Sequence, residues 1–382
     1  MSTGITAARY EERLGRAGAA VGETGHAALL IGVGPELEWL IGYGAVALER
    51  LTMLVIPASG RPTLVVPRLE LSAAAAAPGA AAGLVELATW GETDDPIALV
   101  ARTLGAAGAT GRLLVSDGLR AAFLLRLQAA LPGARFSIAS ALVSPLRQVK
   151  DAEEIELLRA AAGAADRTVE ALIGGRLVGR TEADVAREVR DRLVAEGHDN
   201  AEFWIVAGGP NSASPHHEVS DRVVRAGEPL LLDIGGRRAG YCSDITRTVW
   251  VAGAADQGPD DAFRRLHGLV EQAQAAGRAA IRPGVALQDL DRAARAIIDA
   301  GGHGEHFFHR LGHGIGLEVH EDPYLVEGNS ATLVAGNAFS VEPGIYLEGR
   351  YGARIEDVAM CTPTGGEALN NVERTLLTVR GE

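Results

Sequence analysis

One lysine stands in this 382-residue chain against 35 arginines. That scarcity excludes a phosphate loop of the GK[ST] type and leaves Lys150 as the sole residue able to form a Schiff base. Lys150 falls in what reads as an exposed connector. Cysteine is nearly as rare: Cys242 and Cys361 cannot build a disulfide framework or a cysteine-based zinc site, and Cys242, set between strand residues, reads as an inert buried thiol. Aromatic residues supply 4% of a chain that is 47% hydrophobic, which reflects heavy alanine and valine use and is ordinary for a soluble enzyme. Basic residues are outnumbered 49 to 36, and the net charge of −13 disfavours nucleic acid and anionic membranes as partners. No stretch reaches about 18 apolar residues without a charge, and the N-terminal segment MSTGITAARYEERLGRAG lacks the apolar core of a signal peptide. The expected location is therefore cytoplasmic.

What is present is a set of acids where a core is expected. Asp233, Asp244, His313, Glu342 and Glu356 sit in LLLDIGG, YCSDITRT, GHGIGLEVHEDP and SVEPGIYLEGRYGARIEDV, segments that otherwise read as buried strands. Unpaired buried carboxylates cost several kcal/mol each, so such a set needs cations, and two divalent metals would supply them. The spacing agrees. A hairpin of strands 229–236 and 241–251 centred between Arg238 and Ala239 sets Asp233 opposite Asp244. A second, turning through Glu348-Gly349-Arg350, sets Glu342 opposite Glu356. Opposed residues have Cβ atoms roughly 4.5–5.5 Å apart, where like charges repel unless something intervenes. Each register holds only if its loop has the assumed length.

Residues 1–145 read as an α/β domain with strands at 27–33, 52–58, 62–68 and 113–117, and helices at 6–21, 95–106 and 119–130. No Gly-rich nucleotide fingerprint follows any of these strands. Pro145 is expected to end the domain. Residues 146–382 open with a helix capped by Asp151 and Glu154 and a second capped by Thr181 and Asp184 and stopped by Gly197. Strands at 202–207, 229–236, 241–251, 338–347 and 352–361, with helices at 260–281 and 286–301, predict an antiparallel sheet covered by helices, an α+β domain.

The motifs GGPNSASPHH, EPLLLDIGG followed by GYCSDITRT, HRLGHGIGLEVHEDP, SVEPGIY and GARIEDV closely resemble the creatinase/aminopeptidase P/methionine aminopeptidase superfamily, whose catalytic domain is the pita-bread fold. The PHH and HEDP segments and Arg354 look like its proline-specific branch. The likeness is strong from 146 onward and looser before it. It implies that Asp233 binds one metal, Asp244 and Glu356 bridge two, and His313 and Glu342 hold the second. Mn²⁺ is favoured, with Co²⁺, Fe²⁺ or Zn²⁺ as alternatives. It further implies that Glu342 shuttles a proton and that His216 and His320 bind substrate and stabilise the tetrahedral intermediate. Arg354 lies two residues from Glu356 and so shares its strand face. It would either grip the C-terminal carboxylate of a dipeptide or neutralise the acids.

Among the remaining histidines, His217 is expected to face solvent and His309 to buttress His313. Gly312, Gly314 and Gly316 are read as permitting close backbone approach. The expected activity is hydrolysis of the bond before proline in small peptides, by an Xaa-Pro dipeptidase. The alternatives are an Xaa-Pro aminopeptidase on longer peptides, or a same-fold hydrolase acting on another small amide or C–N compound. A homodimer is expected from the resemblance.

Overall fold

The computed structural model describes residues 4–109, 111–253 and 258–380. The chain divides into two compact units between Arg147 and Gln148. In the first, α1 (Ala7–Glu23), β1 (Ala28–Ile31) and α2 (Pro35–Ile41) precede the hairpin of β2 (Met53–Pro57) and β3 (Thr63–Pro67). Short helices α3 (Leu71–Ala76) and α4 (Pro78–Ala81) lead to β4 (Glu86–Trp90), α5 (Pro96–Ala106), β5 (Arg112–Val115), α6 (Ala121–Ala130), β6 (Arg135–Ile138) and α7 (Ser140–Gln148). The strands form one mixed sheet in the order β4-β3-β2-β1-β5-β6. Its central strands β1, β2 and β3 are buried along their whole length and are the apolar runs evident in the sequence. The two edge strands, ELATW and RFSI, are only partly buried and carry no such run, so composition does not announce them. Pro145, expected to end the domain, lies inside α7, two residues before the point where the two compact units part.

In the second unit α8 (Ala152–Ile173) and α9 (Glu182–Ala195) each start on a complete capping box, Asp151 with Glu154 and Thr181 with Asp184. β7 (Asn200–Gly208), β8 (Glu228–Arg238), β9 (Tyr241–Cys242) and β10 (Ile245–Ala252) follow, then α10 (Asp261–Ala279) and α11 (Leu287–Ala300). The remaining strands are β11 (Gly312–Gly314), β12 (Glu321–Leu325), β13 (Ala338–Val341), β14 (Gly344–Leu347), β15 (Tyr351–Arg354), β16 (Glu356–Thr362), β17 (Gly365–Ala368) and β18 (Thr378–Arg380). The main sheet runs β12-β11-β13-β16-β10-β8-β7, while β14 and β15 form a separate ribbon. The expected continuous strands 338–347 and 352–361 are thus each broken, at Glu342-Pro343 and at Ile355.

Strand periodicity sorts this sheet into two faces. Ile234, Ile245, Asp357 and Val341 lie in one row across β8, β10, β16 and β13. The three apolar members of that row join the cores beneath the helices: Ile234 and Ile245 against α8 and α9, Val341 against α10 and α11. The adjacent row, Asp233, Thr246 and Glu356, must therefore point away from the helices. That alternation turns an apolar strand into a platform for acids.

Candidate functional site

The first hairpin does not have the expected register. β8 and β9 pair Arg238 with Tyr241, so the two-residue turn is Ala239-Gly240 and its centre lies one residue further on. Both turn residues have positive φ, 47° and 86°. A turn centred between Arg238 and Ala239 would impose that conformation on two residues with side chains, whereas the observed one gives half of it to glycine. The shift places Thr246, not Asp244, opposite Asp233. Because it displaces the pairing by two positions, Asp244 keeps the same face as Asp233. The second turn matches expectation: β14 and β15 pair Leu347 with Tyr351 around Glu348-Gly349-Arg350. Val341 pairs with Asp357, continuing the same register.

The five residues converge on a cavity of 780 Å³ within the second unit, which His216, His320 and Arg354 also line. Possible ligand atoms of Asp233, Asp244 and Glu356 lie within 4.8 Å of one another, as do those of His313, Glu342 and Glu356, and those of Asp244, His313 and His320. Two carboxylate oxygens, Asp233 Oδ1 and Glu356 Oε1, are buried with no hydrogen-bond partner among the described residues. Orphaned anionic oxygens are costly in a protein interior, and a pair aimed into one cluster fits a site built for cations. His313 is oriented for the same purpose. Its Nδ1 lies 3.1 Å from the Gly314 carbonyl, which can only accept, so Nε2 faces the acids, 3.2 Å from Glu342 Oε1 and 3.6 Å from Asp244 Oδ2.

Close packing makes this possible. A Cβ on Gly312 would fall 1.9 Å from the Ser340 carbonyl oxygen, and one on Gly314 2.3 Å from that of Asp322. The glycines let β11 lie tightly between β13 and β12, as the sequence implied.

Charge balance within the cluster rests on Arg354. Its Nη2 donates to Asp233 Oδ2 at 2.6 Å and to the Pro215 carbonyl at 3.3 Å, its Nε to Thr246 Oγ1 at 3.1 Å, and its Nη1 to Tyr346 Oη at 2.8 Å. Thr246 Oγ1 in turn donates to Glu356 Oε2 at 2.7 Å. His309 does not buttress His313. Its Nδ1 meets the Arg310 carbonyl at 2.8 Å, leaving Nε2 to accept from the Tyr346 hydroxyl at 3.0 Å. It therefore serves Arg354 through Tyr346, whose hydroxyl burial pushes to about 12. His217 is not solvent-facing either. Residues 209–213 form a 3₁₀ turn, not an extended run, and His217 Nε2 reaches Glu182 Oε2 at 2.8 Å. Glu182 is fully buried and also accepts from Gly208 N, Asn211 Nδ2 and Ser220 N and Oγ, tethering the loop that carries His216.

Sequence reasoning missed Thr246, Tyr346, Glu182 and the true setting of Lys150. Thr246 and Tyr346 lie within the quoted motifs, but neither is an acid or a histidine. Glu182 reads only as a first-turn helix acid.

Burial, followed by repulsion between Asp244 and its acidic neighbours, raises the pKa of Asp244 and Glu356 well above the carboxylate range. Burial opposes the charged forms of Glu342 and His313 too, but their mutual contact prevails, holding Glu342 at about 2 and raising His313. Raised groups stabilise the fold below their unfolded pKa and lose that contribution as pH climbs through the folded value. The metal-stripped protein is therefore expected to lose thermal stability as pH rises from about 6 to 8, a window above the ordinary carboxylate value that spans the ordinary histidine value of about 6.5. Saturating divalent metal should reverse the slope, because its ligands must be deprotonated. Melting curves at both pH values, with chelator or with Mn²⁺, check this. A chelated protein more stable at pH 8 than at pH 6 would contradict it. Below about 4.5 the Glu342 contribution is lost progressively toward its folded value of about 2, which sets the acid limit.

Comparison with known proteins points the same way. A family model described as metallopeptidase family M24 matches residues 156–363, and one described as the creatinase/prolidase N-terminal domain matches residues 13–149. The probable dipeptidase PepE of Mycobacterium tuberculosis is 45% identical over 372 residues, covering 97% of this chain and 96% of that one. The crystal structure of dipeptidase PepE from Mycobacterium ulcerans superposes with a TM-score of 0.92 at 42% identity, covering 99% of this chain and all of the other. A prolidase from Thermococcus sibiricus superposes with a TM-score of 0.89 at 33% identity, over 97% of this chain and 99% of its own. The sheet and helices are the pita-bread fold that the motifs implied, preceded by the smaller α/β unit. Among the described residues, no helix is long and apolar enough to cross a membrane.

Proposed function

This chain belongs to metallopeptidase family M24, and from that premise we propose that it hydrolyses the peptide bond before proline, above all in Xaa-Pro dipeptides. The observation that carries the reading is the convergence of four carboxylates and one imidazole on one cavity, with two carboxylate oxygens left unpartnered. The substrate is argued from similar proteins described as a dipeptidase and a prolidase. In this proposal Asp233, Asp244, His313, Glu342 and Glu356 would hold two divalent ions, Asp233 serving one, His313 and Glu342 the other, with Asp244 and Glu356 available to both. Mn²⁺ suits so oxygen-rich a set. Bound there, the ions would lower the pKa of a water molecule and polarise the scissile carbonyl.

The remaining work falls to protein groups. Glu342 accepts the proton of the attacking water and delivers it to the leaving nitrogen, which in an Xaa-Pro bond is tertiary and must be protonated to depart. His216 and His320 line the cavity and are exposed to it, placed to donate to the carbonyl oxygen as it becomes an oxyanion. Arg354 balances the charge of Asp233. It becomes available to a substrate carboxylate only as cations take over that duty, which ties substrate binding to metal loading.

The test is proline release from a panel of Xaa-Pro dipeptides and a matched Xaa-Pro-Yaa tripeptide, with metal-free protein titrated with Mn²⁺. Rapid dipeptide cleavage saturating near about two metals per chain is the expected result. A preference for the tripeptide would move the assignment to an aminopeptidase. No cleavage of either, with metal demonstrably bound, would sink the proline reading.

A further inference from the structure

Lys150 is not in an exposed connector. Its side chain is 1% exposed, and its Nζ donates to Glu321 Oε1 at 2.6 Å, the Glu321 side chain being 7% exposed. Its backbone is pinned as well: Lys150 N donates to the Gly336 carbonyl at 2.9 Å, next to the Val149–Asn337 bridge. Taking both charges out of water costs several kcal/mol per ion, so a buried pair of this kind is weak evidence of a contribution to stability. The rest of the chain meets its need for positive charge with arginine, which makes background composition a poor explanation for this one ammonium.

The partner it holds stands at a sensitive point. Glu321 follows His320 and pairs with Gly314, the neighbour of His313. Its carboxylate occupies the space a side chain on Gly316 would need, with Oε1 2.7 Å from that Cβ position. From the other side, Cys242 N donates to the Gly316 carbonyl at 2.8 Å, two residues before Asp244. The turn from His313 to His320 is therefore wedged between the Asp244 hairpin and the Glu321 carboxylate. The His320 ring lies 4.0 Å from that of His313, centroid to centroid. Nothing among the described residues hydrogen-bonds the His320 ring, so backbone placement and this ring contact set its position.

We propose that Lys150 is a positioning residue for His320: its ammonium fixes the Glu321 carboxylate inside the turn at Gly316 and so holds the His320 ring in the cavity beside His313. The kinetic part rests on the reading above that His320 contacts substrate; the placement of the ring does not.

The experiment is a double-mutant cycle on the metal-loaded protein, using Lys150→Met, His320→Ala and the double variant with an Xaa-Pro dipeptide. It is accompanied by the ¹H–¹⁵N ring signals of the histidines in Zn²⁺-loaded protein, with His320 assigned by its absence in His320→Ala. Lys150→Met is expected to lower kcat/KM by about 10–100-fold, the usual effect of losing an outer partner. In the His320→Ala background the further loss should stay under about threefold. The His320 ring signals should move while those of His198 and His267, buried elsewhere, stay in place. Losses that multiply in full, or an unmoved His320 signal, would overturn the proposal. If the wild-type protein cleaves no Xaa-Pro peptide, the functional reading fails and the ring signals alone decide. Should Lys150→Met not fold, Glu321→Gln breaks the ion pair at constant shape, and the same two readouts decide.

Discussion

Asp244→Ala is expected to bind less than one metal per chain after loading and to lose proline-releasing activity by at least about 10³-fold. Asp244 belongs to two of the three clusters of possible ligands, sharing one with Asp233 and Glu356 and another with His313 and His320. Removing it opens both halves of the site. Metal catalysis supplies several kcal/mol of transition-state stabilisation, and each 1.4 kcal/mol is a factor of about ten in rate. Metal content by mass spectrometry and initial rates on a dipeptide check the two parts separately. Full metal content with ordinary turnover would show that Asp244 is a buried acid with no catalytic duty. The same variant separates an enzyme from a binding module built on this fold, which should be indifferent to metal.

Arg354→Met is expected to destabilise the metal-free protein by about 3–5 kcal/mol, the range for removing one partner of a buried ion pair. Its guanidinium is the cation in direct contact with Asp233, and it also holds Tyr346 and Thr246. Methionine fills the volume but leaves Asp233 uncompensated. Divalent metal bound beside Asp233 would supply the missing charge, so the penalty should shrink in loaded protein. Urea unfolding with and without Mn²⁺ measures the difference. An equal loss in both states would mean that Arg354 contributes packing and hydrogen bonds but not charge balance.

The four acids were legible because carboxylates are conspicuous in strand-like segments, and His313 because it stands in the quoted motif GHGIGLEVHEDP. The α+β layout was legible because α8 and α9 announce themselves by capping boxes, and β8 and β10 by the short apolar runs LLL and VWVA. The hairpin register was not, since it turned on which of Arg238, Ala239 and Gly240 would accept positive φ. Strands β11 and β12 were given no bounds because GHG and EDPYL have neither an apolar run nor clean alternation. They are strands because β13 lies beside them and the glycines leave room. Thr246, Tyr346 and Glu182 act through partners distant in sequence, 110 positions away at Glu356, 37 at His309 and 35 at His217. Lys150 was misread for the same reason: the carboxylate that buries it lies 171 residues later.

The single lysine also gives this protein an internal ruler of its own opening. A protease specific for lysine has one peptide bond to cut, Lys150–Asp151, three residues beyond the point where the two compact units part. In the native state that bond sits between a pinned backbone amide at Lys150 and the capping box of α8. Cleavage must wait for the segment to unlatch, and where reclosing is fast its rate reports the free energy of that event. One band on a gel becoming two, fragments 1–150 and 151–382, would time the release of this segment without a label or an introduced substitution.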